Sequence, residues 1–347
     1  MRSLCLRQPG LFEFQEDPEP QPPGDNEALV AVHAIGICGT DLSGYLGKMP
    51  FIQYPRLLGH ELGVEVLQIG RDVSNVRVGD RCSIEPYSNC GSCGPCINGK
   101  PNCCEQLKVL GVHVNGGMTE RLVVPAHKLH PSRQLTFPEL ALVETLAIGC
   151  HAVHRAQISD VENVLILGAG PIGLATLEFA RLHSKDVTVV ELSEDRRKFI
   201  AKHYPDVQVA SLPPVGSSFS TVFDATGNAQ SMSSSVSLAA FGGKIVFVGI
   251  TTAPVILDDP LFHRRELTLL ASRNALPTDF PYIIKLIESG QIRVEQWISQ
   301  VENLEDAQEI FARISSGSLQ AVKVVLMNSF LAGATTGFWG NKTKIDL

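Results

Sequence analysis

Hydrophobic and polar positions change rhythm twice along the chain. Through residue 35, short apolar runs such as 29–32 follow a Pro- and Gly-rich turn at 18–24, which predicts β-hairpins. Residues 64–69, a turn at 70–75, and residues 81–84 after the Gly79-Asp80 turn continue that antiparallel pattern. From residue 161 the pattern becomes strand–helix–strand: an apolar run at 164–167, a glycine-rich turn, an apolar helix at 174–182 and a second strand at 187–190. Further strands are predicted at 207–210, 221–224, 244–249 and 266–271. Only roughly nine Pro- and Ser-rich residues separate the first two of these, too few for an ordinary helical crossover, so a connection without a helix is expected. Amphipathic helices at 280–289 and 304–315 and a last strand at 322–326 return to the first texture.

A length of 347 residues is comfortable for two domains. The changes of texture divide the chain into 1–150, 151–290 and 291–347. A formal charge of −7 leaves no basic surplus to neutralise phosphates, which argues against nucleic acid as a partner. The first residues lack a continuous apolar core of signal-peptide type. The longest uncharged apolar stretch, 164–177, is too short to cross a bilayer, so no membrane partner is expected. Nine cysteines in a chain with no secretion signal imply reduced thiols and a cytoplasmic protein.

Three groups of residues carry chemistry. Cys38-Gly39-Thr40-Asp41 and Gly59-His60-Glu61 offer a thiolate, an imidazole and carboxylates on glycine-flanked turns, a donor set suited to Zn²⁺. Asp41 is placed to accept the spare imidazole N–H of His60. Cys90, Cys93, Cys96 and Cys104, at x2, x2 and x7 spacing, can close a tetrahedral structural site, with Cys103 as the spare. Gly168, Gly170 and Gly173, with Pro171 and Ile172 between them, stand between a strand and a helix, and Glu191 ends the next strand. This is a dinucleotide fingerprint in context: pyrophosphate at the helix N-terminus, ribose hydroxyls on Glu191. The carboxylate repels a 2′-phosphate and favours NAD; Arg196 and Arg197 weaken that preference slightly.

In this order, with Gly36-Ile37 before Cys38, Leu62-Gly63 after Glu61, and Gly79-Asp80-Arg81, these motifs resemble a zinc-dependent medium-chain dehydrogenase/reductase of the alcohol and polyol dehydrogenase superfamily, over residues 1 to about 327. The resemblance implies an α/β protein: a partly open, GroES-like β-barrel catalytic domain over 1–150, with a structural zinc lobe, a doubly wound Rossmann NAD-binding domain inserted over 151–290, and a return to the catalytic domain plus a C-terminal extension over 291–347. It implies two zinc ions per chain and NAD. Cys38, His60, Glu61 and Glu144 are implied around the catalytic zinc, the two carboxylates exchanging as ligand and outer partner, with Thr40 passing on the alcohol proton. Arg196, Thr226, Val248 and Arg273 are implied as cofactor contacts.

For the third protein ligand, Glu144, Cys150 and His151 are rivals. Glu144 and Cys150 are separated by about 600° of helix rotation and face different sides, and the family match favours Glu144. The chain departs from the family at Ser43, where many relatives carry a histidine, at Thr145 where Pro is usual, and in the tail after Met327. That tail, with Phe330, Leu331, Phe338 and Trp339, is expected to pack on the chain or across a subunit interface. The implied activity is hydride transfer from a secondary alcohol, a polyol, sugar or sugar acid, to NAD, in a homodimer or homotetramer. A threonine-type or simple alcohol dehydrogenase and a non-enzymatic NAD(H)-binding zinc protein are the alternatives.

Overall fold

A computed structural model describes residues 1–331 of the chain. Its contacts fall into two units: residues 1–144 with the chain from Leu276, and residues 145–275. The first unit opens with the hairpin β1 (Arg2–Gln8) and β2 (Leu11–Glu16), followed by β3 (Glu27–Gly36), α1 (Gly39–Tyr45), β4 (Arg56–Leu57), β5 (Glu61–Ile69), β6 (Arg81–Ile84) and β7 (Tyr87–Ser88). The short α2 (Gly94–Ile97), β8 (Lys108–Val109), β9 (Arg121–Pro125) and β10 (Leu129–Ser132) complete its N-terminal part, and α3 (Phe137–Ala156) begins in it and runs on past Glu144 into the second unit. The second unit runs β11 (Asn163–Leu167), α4 (Pro171–His183), β12 (Asp186–Val190), α5 (Glu194–His203), β13 (Gln208–Ala210), β14 (Phe219–Asp224), α6 (Ala229–Leu238), β15 (Ala239–Phe247), α7 (Asp259–Arg264) and β16 (Thr268–Ala271). The first unit resumes with α8 (Asp279–Glu288), β17 (Ile298–Asn303), α9 (Ala307–Ser315) and β18 (Lys323–Met327).

β3 organises the first unit. One edge pairs antiparallel with β5; the other is long enough for two partners, β9 along residues 27–31 and β18 along 34–36. The sheet runs β10-β6-β5-β3-β18-β17. Val30, Val32 and Ile35 of β3 pack with Leu62, Val64 and Phe311 in one core. At its end Gly36 stands opposite both Glu61 and Val325. A Cβ there would collide with the Glu61 carboxylate, so only glycine lets the three strands converge with that side chain between them.

The second unit is a parallel sheet, β13-β12-β11-β14-β15-β16. Parallel sheets are covered on both faces, which is why Val164–Leu167 is buried throughout. The link from β13 to β14 contains no helix, as its length requires. α4 begins at Pro171, earlier than the apolar pattern suggests, because proline suits the first helical position. α5, α6 and α7 are not evident from hydrophobic periodicity: α5 buries only Phe199 and Ile200, and α6 is rich in serine. The unit boundaries fall at Glu144 and Leu276 rather than near 150 and 290. α8 belongs with the first unit because Phe280 stacks on His130 at 4.8 Å and Glu288 accepts from Ser132 at 2.5 Å. Of the tail, Asn328 and Phe330 are buried, and Phe330 meets Phe14 edge-on at 5.5 Å with the Arg2 guanidinium over its ring. Phe338 and Trp339 lie outside the described residues.

Candidate active site and metal-binding groups

The turn out of β3 presents Cys38, and the start of β5 presents His60 and Glu61. Asp41, fully buried on the first turn of α1, ties the two segments together: one carboxylate oxygen accepts from the Cys38 N–H at 3.0 Å and the other from the Gly59 N–H at 3.4 Å. The metal-ligating atoms of Cys38, His60 and Glu61 all lie within 4.8 Å of one another. His60 Nδ1 is 3.5 Å from Asp41 Oδ1, buried and without a hydrogen-bond partner. Burial opposes a positive charge on this ring, yet Asp41 and Cys38 outweigh it and raise its pKa well above the ordinary range. A group whose surroundings hold a proton this firmly is also a group that could hold a cation.

Two further residues enter from distant parts of the chain. Lys323 of β18 is fully buried and donates to both Glu61 oxygens, at 2.5 and 2.6 Å, and to the Ile37 carbonyl at 3.3 Å. Burial disfavours its charge, but Glu61 and the nearby Cys38 more than compensate, and its pKa rises. Glu144, on α3, accepts a hydrogen bond from the Tyr87 hydroxyl. Burial raises its pKa against the pull of His60, and burial together with Glu144 pushes the Tyr87 phenol well up. Cys150 on the same helix lies instead beside His154, its sulfur 3.7 Å from Nδ1. Thr40 is half-buried two residues after Cys38. Lys323 and Tyr87 are the members of this group that sequence reasoning missed. Lys323 did leave a signal, a single charge inside the apolar run 321–326; Tyr87 left none.

Cys90, Cys93, Cys96 and Cys104 bring their sulfurs within 4.8 Å of one another. Tetrahedral coordination with Zn–S near about 2.3 Å requires sulfurs about 3.8 Å apart, and Cys93 and Cys104 are 3.8 Å apart. Backbone N–H groups point inward: Cys93 donates to the Cys90 sulfur at 3.3 Å, Cys90 to Cys104 at 3.2 Å, and Gln106 to Cys104 at 3.3 Å. Backbone hydrogen bonds from Ser92 and Cys93 lower the Cys90 pKa to about 6. Cys103 is exposed and outside the group.

In the second unit, Gly168 takes positive φ after β11, and Gly170 caps α4. A Cβ on Gly173 would strike the Gly168 carbonyl, so the helix can start this close to the strand only with glycine there. Glu191 accepts from the Ala169 N–H at 2.7 Å and the Ser193 N–H at 2.8 Å, and Arg196 lies 3.7 Å from it. Thr226 lies against Gly168 and bonds Asp224. Val248 is buried, and Arg273 is exposed.

The family model of the alcohol dehydrogenase GroES-like domain matches residues 24–134, and that of zinc-binding dehydrogenase matches 171–289. L-galactonate-5-dehydrogenase of Escherichia coli K12 is 35% identical over 339 residues, 94% of this chain and 98% of its own length. The chain belongs to the zinc-binding dehydrogenase family. Among solved structures, this dehydrogenase is similar to an E. coli CFT073 alcohol dehydrogenase, rspB, complexed with NADH: TM-score 0.87, 28% identity, 94% of this chain and 99% of the other. A zinc-binding dehydrogenase from Sinorhizobium meliloti 1021 bound to NADP gives TM-score 0.84 at 29% identity, with 94% and 98% covered. The dehydrogenase thus has a GroES-like barrel unit and a Rossmann unit, and it carries the two candidate metal-ligand groups described above and the dinucleotide fingerprint. Among the described residues no helix is long and apolar enough to cross a membrane.

Proposed function

We propose that the chain oxidises a secondary hydroxyl of a sugar acid or polyol with NAD. The observation that carries the reading is the convergence of half-buried Cys38 with buried His60 and Glu61, beside buried Lys323 and Glu144, in a relative of an enzyme named L-galactonate-5-dehydrogenase. Cys38, His60 and Glu144 hold the catalytic metal in this reading. Glu61 stays in reserve, because Lys323 engages both its oxygens while Tyr87 engages one of Glu144. Zinc there supplies Lewis acidity that brings a substrate hydroxyl's pKa towards neutrality, and the nicotinamide accepts the hydride. The Thr40 hydroxyl would accept the substrate's hydroxyl proton while passing its own on towards the nicotinamide ribose. Asp41 keeps His60 oriented, and Lys323 offsets the negative charge that Cys38 and two glutamates accumulate. Cys90, Cys93, Cys96 and Cys104 hold a second zinc. Gly168 to Gly173 cradle the pyrophosphate, Glu191 binds the adenosine ribose, and Arg196, Thr226, Val248 and Arg273 complete the cofactor contacts.

Nine free thiols fit a reducing compartment such as the cytoplasm. The open edge strand β16, with Leu269 exposed, supports a homo-oligomer, and light scattering measures its size. To test the function, purified protein is incubated with NAD⁺ and a panel of aldonic acids, polyols, threonine and simple alcohols, and NADH absorbance is read. Turnover greatest on an aldonic acid or polyol, with two zinc ions per chain, is expected. Turnover confined to threonine or ethanol overturns the substrate class, and none on any alcohol favours an NAD(H)-binding zinc protein.

A further inference from the structure

Lys128 and Asn89 belong to neither ligand set nor the cofactor site. Lys128 stands immediately before β10, its side chain only 4% exposed, and its ammonium lies 2.5 Å from Glu85 Oε1 and 3.2 Å from Asn89 Oδ1. The Glu85 N–H donates to the Lys128 carbonyl at 2.8 Å, which extends the β6–β10 ladder by one step beyond Ile84 and Leu129. The ion pair is therefore built on rigid backbone. On its far side, Asn89 Nδ2 donates to the Cys96 sulfur at 3.7 Å.

We infer that Lys128 is a positioning residue for the four-cysteine group, acting through Asn89. The inference rests on reading those cysteines as a zinc site. Four thiolates around a divalent ion carry a net negative charge and are stabilised by N–H donors directed at sulfur. Cys90 and Cys104 receive backbone donors; Cys96 receives one from Gly91 and the side-chain amide of Asn89. A primary amide has two ends of opposite character, and a flip would turn its carbonyl oxygen towards the thiolate. An ammonium has donors only, so it accepts only the Oδ1 end as neighbour. Lys128 thereby forces the Nδ2 end onto Cys96, and Glu85 holds Lys128 in place. A buried ion pair is seldom kept for net stability alone; here it selects one orientation of a neighbouring amide.

The test uses zinc-loaded full-length protein and a chromophoric chelator, with release from the four-cysteine group followed over time. Asn89→Asp keeps an acceptor for Lys128 but replaces the N–H donor by a carboxylate oxygen. It should speed zinc release from this group by about tenfold or more, leaving NADH binding unchanged. Glu85→Gln combined with Lys128→Met removes both charges at similar volume and frees the amide to flip. It should speed release by a smaller factor and shift the sulfur-to-metal charge-transfer band of the cobalt-substituted protein. Wild-type release from a folded Asn89→Asp variant overturns the role of Asn89. Wild-type release and an unshifted band in the double variant overturn that of Lys128. A wild-type protein that holds no zinc on these cysteines fails the metal reading itself.

Discussion

In the second unit the dinucleotide fingerprint lies within one strand–helix–strand unit, from Gly168 to Glu191, and most of what it presents is backbone. The first unit instead draws residues 41, 60, 61, 87, 144 and 323, all buried, and the half-buried Cys38 into one group whose chemistry is almost all side-chain charge. The two tolerate change differently for that reason. A glycine-rich turn keeps its N–H groups whatever its neighbours are, provided the turn forms. A buried carboxylate is tolerable only while its partner stays, so each member of the first group depends on residues far away in the sequence.

The sharpest way to break this contrast is Lys323→Met. It takes from the Glu61 carboxylate, which is 1% exposed, the buried ammonium that meets both of its oxygens. Removing one partner of a buried pair typically costs about 3–5 kcal/mol, and the apparent melting temperature of the metal-free protein should fall accordingly. Adding Glu61→Gln should recover most of the loss, since both charges are then gone. A single variant as stable as the double would mean that Glu61 finds another partner, and the interdependence argued for the first unit would not hold.

The same contrast explains what the sequence made legible. Gly168, Gly170, Gly173 and Glu191, and the cysteines at 90, 93, 96 and 104, are local patterns in which spacing and geometry nearly coincide, so both groups could be read before any fold was known. Cys38, His60 and Asp41 were readable as donors. Lys323 showed only as a lone charge in an apolar run, and its partner was not readable, because only the pairing of β18 with β3 and of β3 with β5 brings it to Glu61. Tyr87 reaches Glu144 across a fold-dependent distance that no local pattern encodes. α5 and α6 were illegible for another reason: each buries so little of its surface that the apolar stripe is too thin to set a period. The connection after β13 was legible from its length alone.

A second substitution sharpens the comparison from the cofactor side. Glu191→Ala removes the acceptor proposed for the adenosine ribose and two backbone contacts, to Ala169 and Ser193. Hydrogen bonds to a charged group are worth about 1.5–3 kcal/mol, so NADH should bind roughly 10–100-fold more weakly by fluorescence titration. Adding an arginine at the exposed Leu192 should improve NADPH binding, because the repulsive carboxylate is gone and Arg196 stands nearby. The fold should survive both changes, unlike Lys323→Met. An unmodified protein that already prefers NADPH would show that Arg196, and not Glu191, decides the cofactor.

The smallest effect is expected at Glu162, the second unit's counterpart to Glu61. Its carboxylate accepts from Lys244 at 3.0 Å and from the Thr221 hydroxyl at 2.6 Å, and Lys244 also donates to the carbonyls of Ala156 and Gln157 at the end of α3. Burial tends to raise the Glu162 pKa, but the hydrogen bonds and the lysine charge prevail and lower it. A carboxylate with a depressed folded-state pKa stabilises the protein above its unfolded value, near about 4.3, and that contribution disappears as pH falls through the folded value. Glu162→Gln should therefore cost stability at pH 7, and less as the pH falls below about 4. With Glu162 and Lys244 side chains 16% and 24% exposed, solvent screens the pair, and about 1 kcal/mol is the expected size. That corresponds to about 2–4 °C in apparent melting temperature at neutral pH. An equal loss at neutral and at acid pH would mean that the glutamine fails to replace packing or hydrogen bonds to Ser159 and Thr221, with the charge contributing nothing. A neutral-pH loss as large as that of Lys323→Met would show that burial of charge does not separate the two units.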